Sequence, residues 1–358
     1  MVTRRDVARL AGTSESVVSY VLNAGPRNVA PATRDRVLAA IDELGYRPNA
    51  VARSLRTSRT RTLGLLVPDN ANPFFAELAA QIAEDTFAAG HSLLLANSRE
   101  DPDREAEQVR ILLDRKVDGL MLIPACAPTQ CVDDLVSSGV RCVLVDRELP
   151  RLAAGTVVAD HIGGARAAVT HLLEHGRRRI ACVAGPHCAS PTDDRVLGWR
   201  SALIAAQVDP DALPLLHTPF GRMSAYTAAT ELLSGLTSAE RPDAFFVTSD
   251  EQAVGVLRAA LELGLRVPQD LAIASFDGIA GSAYPVPALT TVSQPIAELS
   301  RTAVRLLLDA EDPVGKRIVL PVSLLRRGSC GCPDPAGGGC SASASPAVPP
   351  CTAPPSAE

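Results

Sequence analysis

Apolar positions along this chain fall into two rhythms. Over roughly the first sixty residues they recur at helical spacing. Val7, Ala8, Leu10 and Ala11 mark one face of a short helix that Thr3 and Asp6 can cap and Gly12 can end. Val18, Val21 and Leu22 mark a second, with Ser14 as its cap. Asn23-Ala24-Gly25-Pro26 then breaks the chain. Val37, Leu38, Ile41 and Leu44 stripe a third helix, opened by Pro31 and stopped by Gly45. Three short helices with a tight turn between the first two predict a helix-turn-helix domain over residues 1–47.

From Leu63 the rhythm changes to short apolar runs alternating with helical segments. Strands are expected at Leu63–Val67, Leu93–Ala96, Leu120–Ile123 and Cys142–Val145, then at Ile180–Ala184, Ala244–Val247 and Leu271–Ser275. Helices are expected at Phe74–Ala89, Pro102–Arg115 and Gln130–Ser138, then at Gly164–His175, Asp194–Ala206, Ser224–Leu233 and Glu251–Leu263. A further helix, Ile296–Leu308, precedes closing strands at Ile318–Leu320 and Val322–Leu325. Buried strands alternating with helices mean parallel sheets covered on both faces. Two such sets predict an α/β body of two Rossmann-like lobes over residues 61–328, similar to periplasmic sugar-binding proteins. The cleft between lobes, at the carboxyl ends of the strands, is the expected ligand site.

Charge adds a division of labour. Residues 1–61 hold eleven Arg against five acids, and with −5 overall the remainder carries −11. A basic head on an acidic body places a nucleic-acid contact in the head. No apolar run reaches the ~18 residues of a membrane span, and Met1–Asp6 leads straight into an amphipathic helix, so the expected location is cytoplasmic. Nine cysteines without CxxC spacing fit structural thiols in a reduced compartment, with zinc as the minor alternative, through Cys330 and Cys332 with Cys340 and Cys351. Neither a nucleotide-binding glycine motif nor a GxSxG elbow occurs, His161, His171, His175, His187 and His217 look scattered, and no cofactor, catalytic residue or metal site is expected.

Asp6-Val7-Ala8-Arg9-Leu10-Ala11-Gly12, Val18-Ser19-Tyr20-Val21-Leu22-Asn23, Thr33-Arg34-Asp35-Arg36-Val37 and Leu44-Gly45-Tyr46-Arg47-Pro48-Asn49 together resemble the lactose-repressor (LacI/GalR) family of bacterial transcription regulators. The resemblance runs from Thr3 to about Arg327. It implies that the second helix enters the major groove of operator DNA, with Glu15, Ser16 and Tyr20 reading bases and Thr3, Ser14, Ser19 and Asn23 beside them. Val17 stands where the family usually has Thr, and Tyr20 where it usually has Arg, which implies a different operator sequence. The resemblance also makes residues 48–60 a hinge, helical on DNA. In it Leu55 wedges into the minor groove with Ala52 and Arg53 on the same face.

In the body the resemblance rests on Asn72-Pro73-Phe74-Phe75, Asp146, Asp194–Trp199, Thr248–Ala253, Gly264–Asp270, Ser275-Phe276-Asp277-Gly278 and Leu289–Pro295. It implies that Phe74, Asp146, Arg195, Phe220, Ser249, Asp277 and Gln294 line an effector pocket. Arg195 and Asp277 suit adjacent hydroxyls, and Phe220 offers a flat face to a sugar ring or base. Asp250 is expected only to cap a helix. The family pattern crosses between lobes three times, here near Val158, Leu289 and Leu320. Residues 329–358, rich in Pro, Gly, Ser, Ala and Cys, are expected to be disordered. Without a C-terminal heptad the expected assembly is a homodimer. The expected function is a repressor of transcription controlled by a small, sugar-like effector. Its rivals are a carrier protein with an incidental basic head, and an enzyme built on Asp146, Arg195 and Asp277.

Overall fold

The computed structural model describes residues 2–23, 28–47, 59–125, 131–149, 152–187, 190–309, 311 and 313–333. The chain divides into two compact units after Thr62, with Lys116–Asp118 grouping with the first. In the first unit, α1 (Arg4–Leu10), α2 (Glu15–Asn23) and α3 (Pro31–Leu44) follow the expected boundaries closely. Thr3 and Asp6 form a reciprocal capping box, and the Ser14 hydroxyl accepts from the Val17 amide at 3.3 Å. Gly45 ends α3 in the left-handed region. Val7, Val18 and Val37 are fully buried, joined by Ala8, Ala11, Val21, Ala40 and Tyr46. Leu10 and Leu38, expected in this core, are each 46% exposed. At about 100° per residue, each lies roughly a quarter-turn beyond the buried stripe. The hinge, with Ala52, Arg53 and Leu55, lies outside the described residues.

The second unit holds two lobes. The first has strands β1 (Thr62–Val67), β2 (Ser92–Asn97), β3 (Gly119–Leu122), β4 (Cys142–Val145) and β5 (Gly155–Ala159). Between them run α4 (Pro73–Ala88), α5 (Pro102–Asp114) and α6 (Val132–Ser138). The second has α7 (His161–Glu174), β6 (Ile180–Ala184), α8 (Ser190–Ala205), β7 (Leu215–His217), α9 (Arg222–Gly235), β8 (Ala244–Val247), α10 (Asp250–Glu262), β9 (Ala272–Asp277) and β10 (Thr290–Ser293). After α11 (Ile296–Leu308), β11 (Arg317–Leu320) completes the first sheet and β12 (Ser323–Leu325) the second. The orders are β2-β1-β3-β4-β5-β11 and β7-β6-β8-β9-β10-β12, the same winding twice. Strand β11 joins β5 in parallel, whereas β12 joins β10 antiparallel.

Three strands escaped the sequence pattern. Gly155–Ala159 opens on glycine, Leu215–His217 spans a single half-buried ladder, and Thr290–Ser293 is mostly hydroxylic. Among the described residues the chain crosses between lobes three times. The second crossing lies at Gln294–Pro295, after β10, rather than near Leu289, because the Thr290 and Thr291 run is still strand. The tail also begins later than expected. Ser329 and Cys330 are buried in a 3-10 turn, where the Ser329 hydroxyl donates to the Ile273 carbonyl at 2.7 Å and accepts from the Thr290 amide at 2.8 Å.

Each lobe has its own apolar core. Leu65, Met121 and Val143 pack against Phe75, Leu78 and Ile82 of α4 and Leu299 and Leu307 of α11. In the second lobe Trp199, Phe246 and Phe276 dominate one side of the sheet. Burial of such side chains stabilises each lobe by about 1.5–3 kcal/mol per residue. One glycine sets the spacing of two helices. A Cβ on Gly198 would stand 2.5 Å from the Ile162 carbonyl oxygen, so only glycine lets α8 approach the start of α7. Among the described residues no helix is long and apolar enough to cross a membrane.

Candidate ligand cleft and reading surface

Asn72, Phe74, Phe75, Asp146 and Arg147 of the first lobe face Pro191, Arg195, Phe220, Ser249 and Asp277 of the second across a narrow cleft. Asp146, Arg147, Phe220, Ser249 and Asp277 sit at or just beyond strand carboxyl ends, where an open α/β sheet exposes a crevice, and the rest come from the helices that follow. Six of the seven expected pocket residues line it. The seventh, Gln294, reaches it through Asp277, donating Nε2 to Oδ1 at 3.0 Å.

Arg195 is the centre of the second lobe's wall. It donates to the Thr248 carbonyl at 2.5 Å and to Asp277 Oδ1 at 3.3 Å, and its guanidinium lies 4.0 Å above the Phe276 ring. His161, expected to be an ordinary surface or core residue, stands 3.4 Å from Arg195 because Gly198 lets the two helices close up. Burial holds the His161 imidazole well below its usual pKa, and the Arg195 charge adds to the effect. Ser249, not Asp250, caps α10, its hydroxyl accepting from the Gln252 amide at 3.2 Å. Asp250 instead accepts from Ser275 at 2.5 Å, Thr291 at 2.7 Å and the Ile279 amide at 2.9 Å, fixing the loop that carries Asp277.

Burial raises the pKa of both cleft carboxyls, Asp146 and Asp277. Arg195 opposes the rise at each, and at Asp277 the neighbouring Asp250 and Asp146 carboxylates add to it. Their backbones share a second peculiarity. Asp146 has φ +64° and Asp277 φ +117°, rare for residues other than glycine. Such conformations cost about 1–3 kcal/mol each and concentrate at functional sites. Among the described residues, four buried polar atoms in and around this cleft have no partner: Asp146 Oδ1, His161 Nε2, Thr192 Oγ1 and Gln294 Oε1. Phe74 serves both cleft and core, whereas Phe220 is only half-buried and offers a ring face.

Arg147 was missed from sequence. It is 3% exposed, pairs with Glu100 at 2.7 Å and donates to the Pro124 carbonyl at 2.9 Å. Its one signal was position, immediately after the cleft acid Asp146. In the head, Ser14, Glu15 and Ser16 are exposed on the first turn of α2, and Ser19 and Tyr20 are half-buried further along it. Asn23 is the last residue of that helix. The Thr3 hydroxyl is spent on the cap, donating to Asp6 at 2.7 Å.

Residues 3–49 match the family described as bacterial regulatory proteins, lacI family, and residues 169–330 match a periplasmic binding protein-like domain. Over 310 residues the chain is 34% identical to the HTH-type transcriptional repressor PurR of Aliivibrio fischeri (strain MJ11), spanning 86% of this chain and 91% of that protein. The chain belongs to the lacI family. The PurR repressor of Haemophilus influenzae (strain PittEE) is 35% identical over 311 residues, with 86% and 91% covered. Among solved structures, a lac repressor dimer bound to operator and the anti-inducer ONPF superposes with a TM-score of 0.83 at 28% identity, covering 92% of this chain and 99% of that one. A complex of the transcriptional regulator CelR with cellobiose gives 0.69 at 33% identity, covering 92% and 100%. This lacI-family chain is therefore a helix-turn-helix transcription repressor with an effector-binding body, and not an enzyme.

Proposed function

We propose that the chain acts as a homodimer holding operator DNA with Thr3, Ser14, Glu15, Ser16, Ser19, Tyr20 and Asn23 of the head and Ala52, Arg53 and Leu55 of the linker. A small polyhydroxylated effector in the cleft changes that affinity. Phe74, Asp146, Arg195, Phe220, Ser249, Asp277 and Gln294 contact it directly or support the residues that do. The observation that carries the reading is the group of unpartnered buried polar atoms around Arg195 and Asp277 beside the half-buried Phe220 ring. Buried polar groups are normally satisfied, and a hydroxyl-rich ring supplies both the missing partners and a face for Phe220. Similar regulators point the same way, since CelR is complexed with cellobiose and a LacI-family regulator from Enterococcus faecium with ribose.

The test is a thermal-shift screen of the full chain against mono- and disaccharides and nucleobases, followed by footprinting on its own upstream DNA with and without each hit. A hit should stabilise the protein and alter the footprint, and Arg195→Leu should abolish both responses. A hit that stabilises Arg195→Leu equally would move the effector site elsewhere. For the linker, Leu55→Ala should lose specific footprinting and keep the thermal shift. An unchanged footprint would remove Leu55 from the DNA contact.

A further inference from the structure

Helix α7 carries His171 in its last turn, and His175 follows four residues on, so both imidazoles leave the same face. The segment after β12 brings two cysteines to that face. Cys330 Sγ lies 3.2 Å from His171 Nε2, and Cys332 Sγ lies 3.4 Å from Nε2 of both histidines. The four donor atoms are all within 4.8 Å of one another. A tetrahedral zinc ion, with sulfur at about 2.3 Å and imidazole nitrogen at about 2.0–2.1 Å, sets its ligands roughly 3.5 Å apart. The side chains already stand near that spacing. Sequence order hid the group, because the histidines and cysteines are separated by the whole second lobe.

Three neighbours fit the same chemistry. Glu174 Oε2 stands 3.8 Å from His171 Nδ1, favouring the tautomer with its proton on Nδ1 and a free lone pair on Nε2. The Thr290 hydroxyl lies 3.0 Å from Cys330 Sγ and 2.9 Å from the Arg327 carbonyl, so its one proton can turn to a thiolate at Cys330. Gly331, at φ +107°, turns the chain between the two cysteines so that both thiols face α7. Cys330 and His171 are buried, Cys332 is partly covered and His175 is exposed, which gives the group a closed interior and a path from solvent.

We propose that His171, His175, Cys330 and Cys332 form a four-coordinate Zn²⁺ site that fastens the segment after β12 to helix α7. Two thiolates and two neutral imidazoles are the donor set of structural zinc. On binding, both thiol protons go to solvent, and the Cys330 S–H contact with the Arg327 carbonyl at 3.2 Å is given up.

Full-length protein purified under reducing conditions is loaded with Zn²⁺, dialysed and assayed for metal per chain, and a parallel sample takes Co²⁺. One tightly held ion per chain is expected. The cobalt form should show the thiolate charge-transfer and ligand-field bands of a tetrahedral sulfur site. The pair His175→Ala and Cys332→Ser, at the more exposed corners, should lose the ion and the bands while keeping the native circular dichroism. Cys340→Ser with Cys351→Ser should keep both. A chelator should lower the melting temperature of the wild type and leave the His175→Ala, Cys332→Ser protein unmoved. Absence of retained metal would overturn the proposal. So would retention in the His175→Ala, Cys332→Ser protein, loss in the Cys340→Ser, Cys351→Ser protein, or a Cys330–Cys332 disulfide in the reduced preparation.

Discussion

The two lobes repeat one strand order but furnish the cleft differently. The second lobe presents a connected network that still leaves His161 Nε2, Thr192 Oγ1 and Gln294 Oε1 without partners among the described residues. Arg195 is held by Thr248 and Asp277, Asp277 by Gln294, and Asp250 by Ser275, Thr291 and the Ile279 amide. The first lobe presents Asp146 with one oxygen unpartnered, and Arg147 tied to Glu100. Both walls still have hydrogen bonds to make, but only the second ties its charged groups, Arg195 and Asp277, into one network. Only a difference in affinity between two arrangements can shift them, typically by about 1–3 kcal/mol.

The strongest way to break this contrast is Arg195→Leu. It leaves the buried Asp277 carboxyl without one of its hydrogen-bond partners, which costs about 1–3 kcal/mol. Denaturant unfolding should show that loss together with loss of ligand response. Changing Asp277 to Leu as well should restore much of the stability but none of the ligand binding. If the single variant unfolds like wild type, the network does not support its lobe. Next in size is Asp146→Asn, which should weaken calorimetric ligand binding about tenfold, or ~1.4 kcal/mol, with stability unchanged or raised. A fall in stability with intact binding would make Asp146 a support rather than a contact. Phe220→Ala should come third, with a loss of about 0.5–1.5 kcal/mol of affinity for ring-shaped ligands, and an equal loss for open-chain polyols would argue against stacking.

The smallest effect is a pH dependence. Burial pushes Asp250 up to about 6 and raises Asp146 and Asp277 as well. Raised folded-state values make the acid forms the stabilising ones. Their contribution is full below the ordinary 3.8 and is lost as pH rises through about 6 and beyond. The denaturation midpoint of the ligand-free protein should therefore fall between about pH 5 and pH 8 relative to that of Asp277→Asn. Parallel curves for the two proteins would show that Asp277 titrates normally.

How much of this could be read in the sequence depends on the range of the interaction involved. Caps, stops and apolar periods are local, so the boundaries of α2 and α11 and strands such as Cys142–Val145 were legible. The family motifs placed Asp146, Arg195 and Asp277 because each sits at a fixed distance from a strand end. Arg147 and His161 were not legible, since their roles come from residues far away in sequence, Glu100 and Arg195. Leu10 and Leu38 misled for a related reason. An apolar residue at the edge of a helical stripe is buried only if a neighbour reaches it, and among the described residues of this head none does.

The returning strands β11 and β12 have a consequence for biosynthesis. The final edge of each sheet comes from one short stretch, Arg317–Leu325, near the end of the described chain. A ribosome releases more than three hundred residues before either sheet can close. Until then β5 and β10 stand as open edges, which invite pairing with other chains. Both lobes therefore wait for the same short stretch, and a nascent chain stalled before Arg317 should aggregate although each lobe already has most of its core.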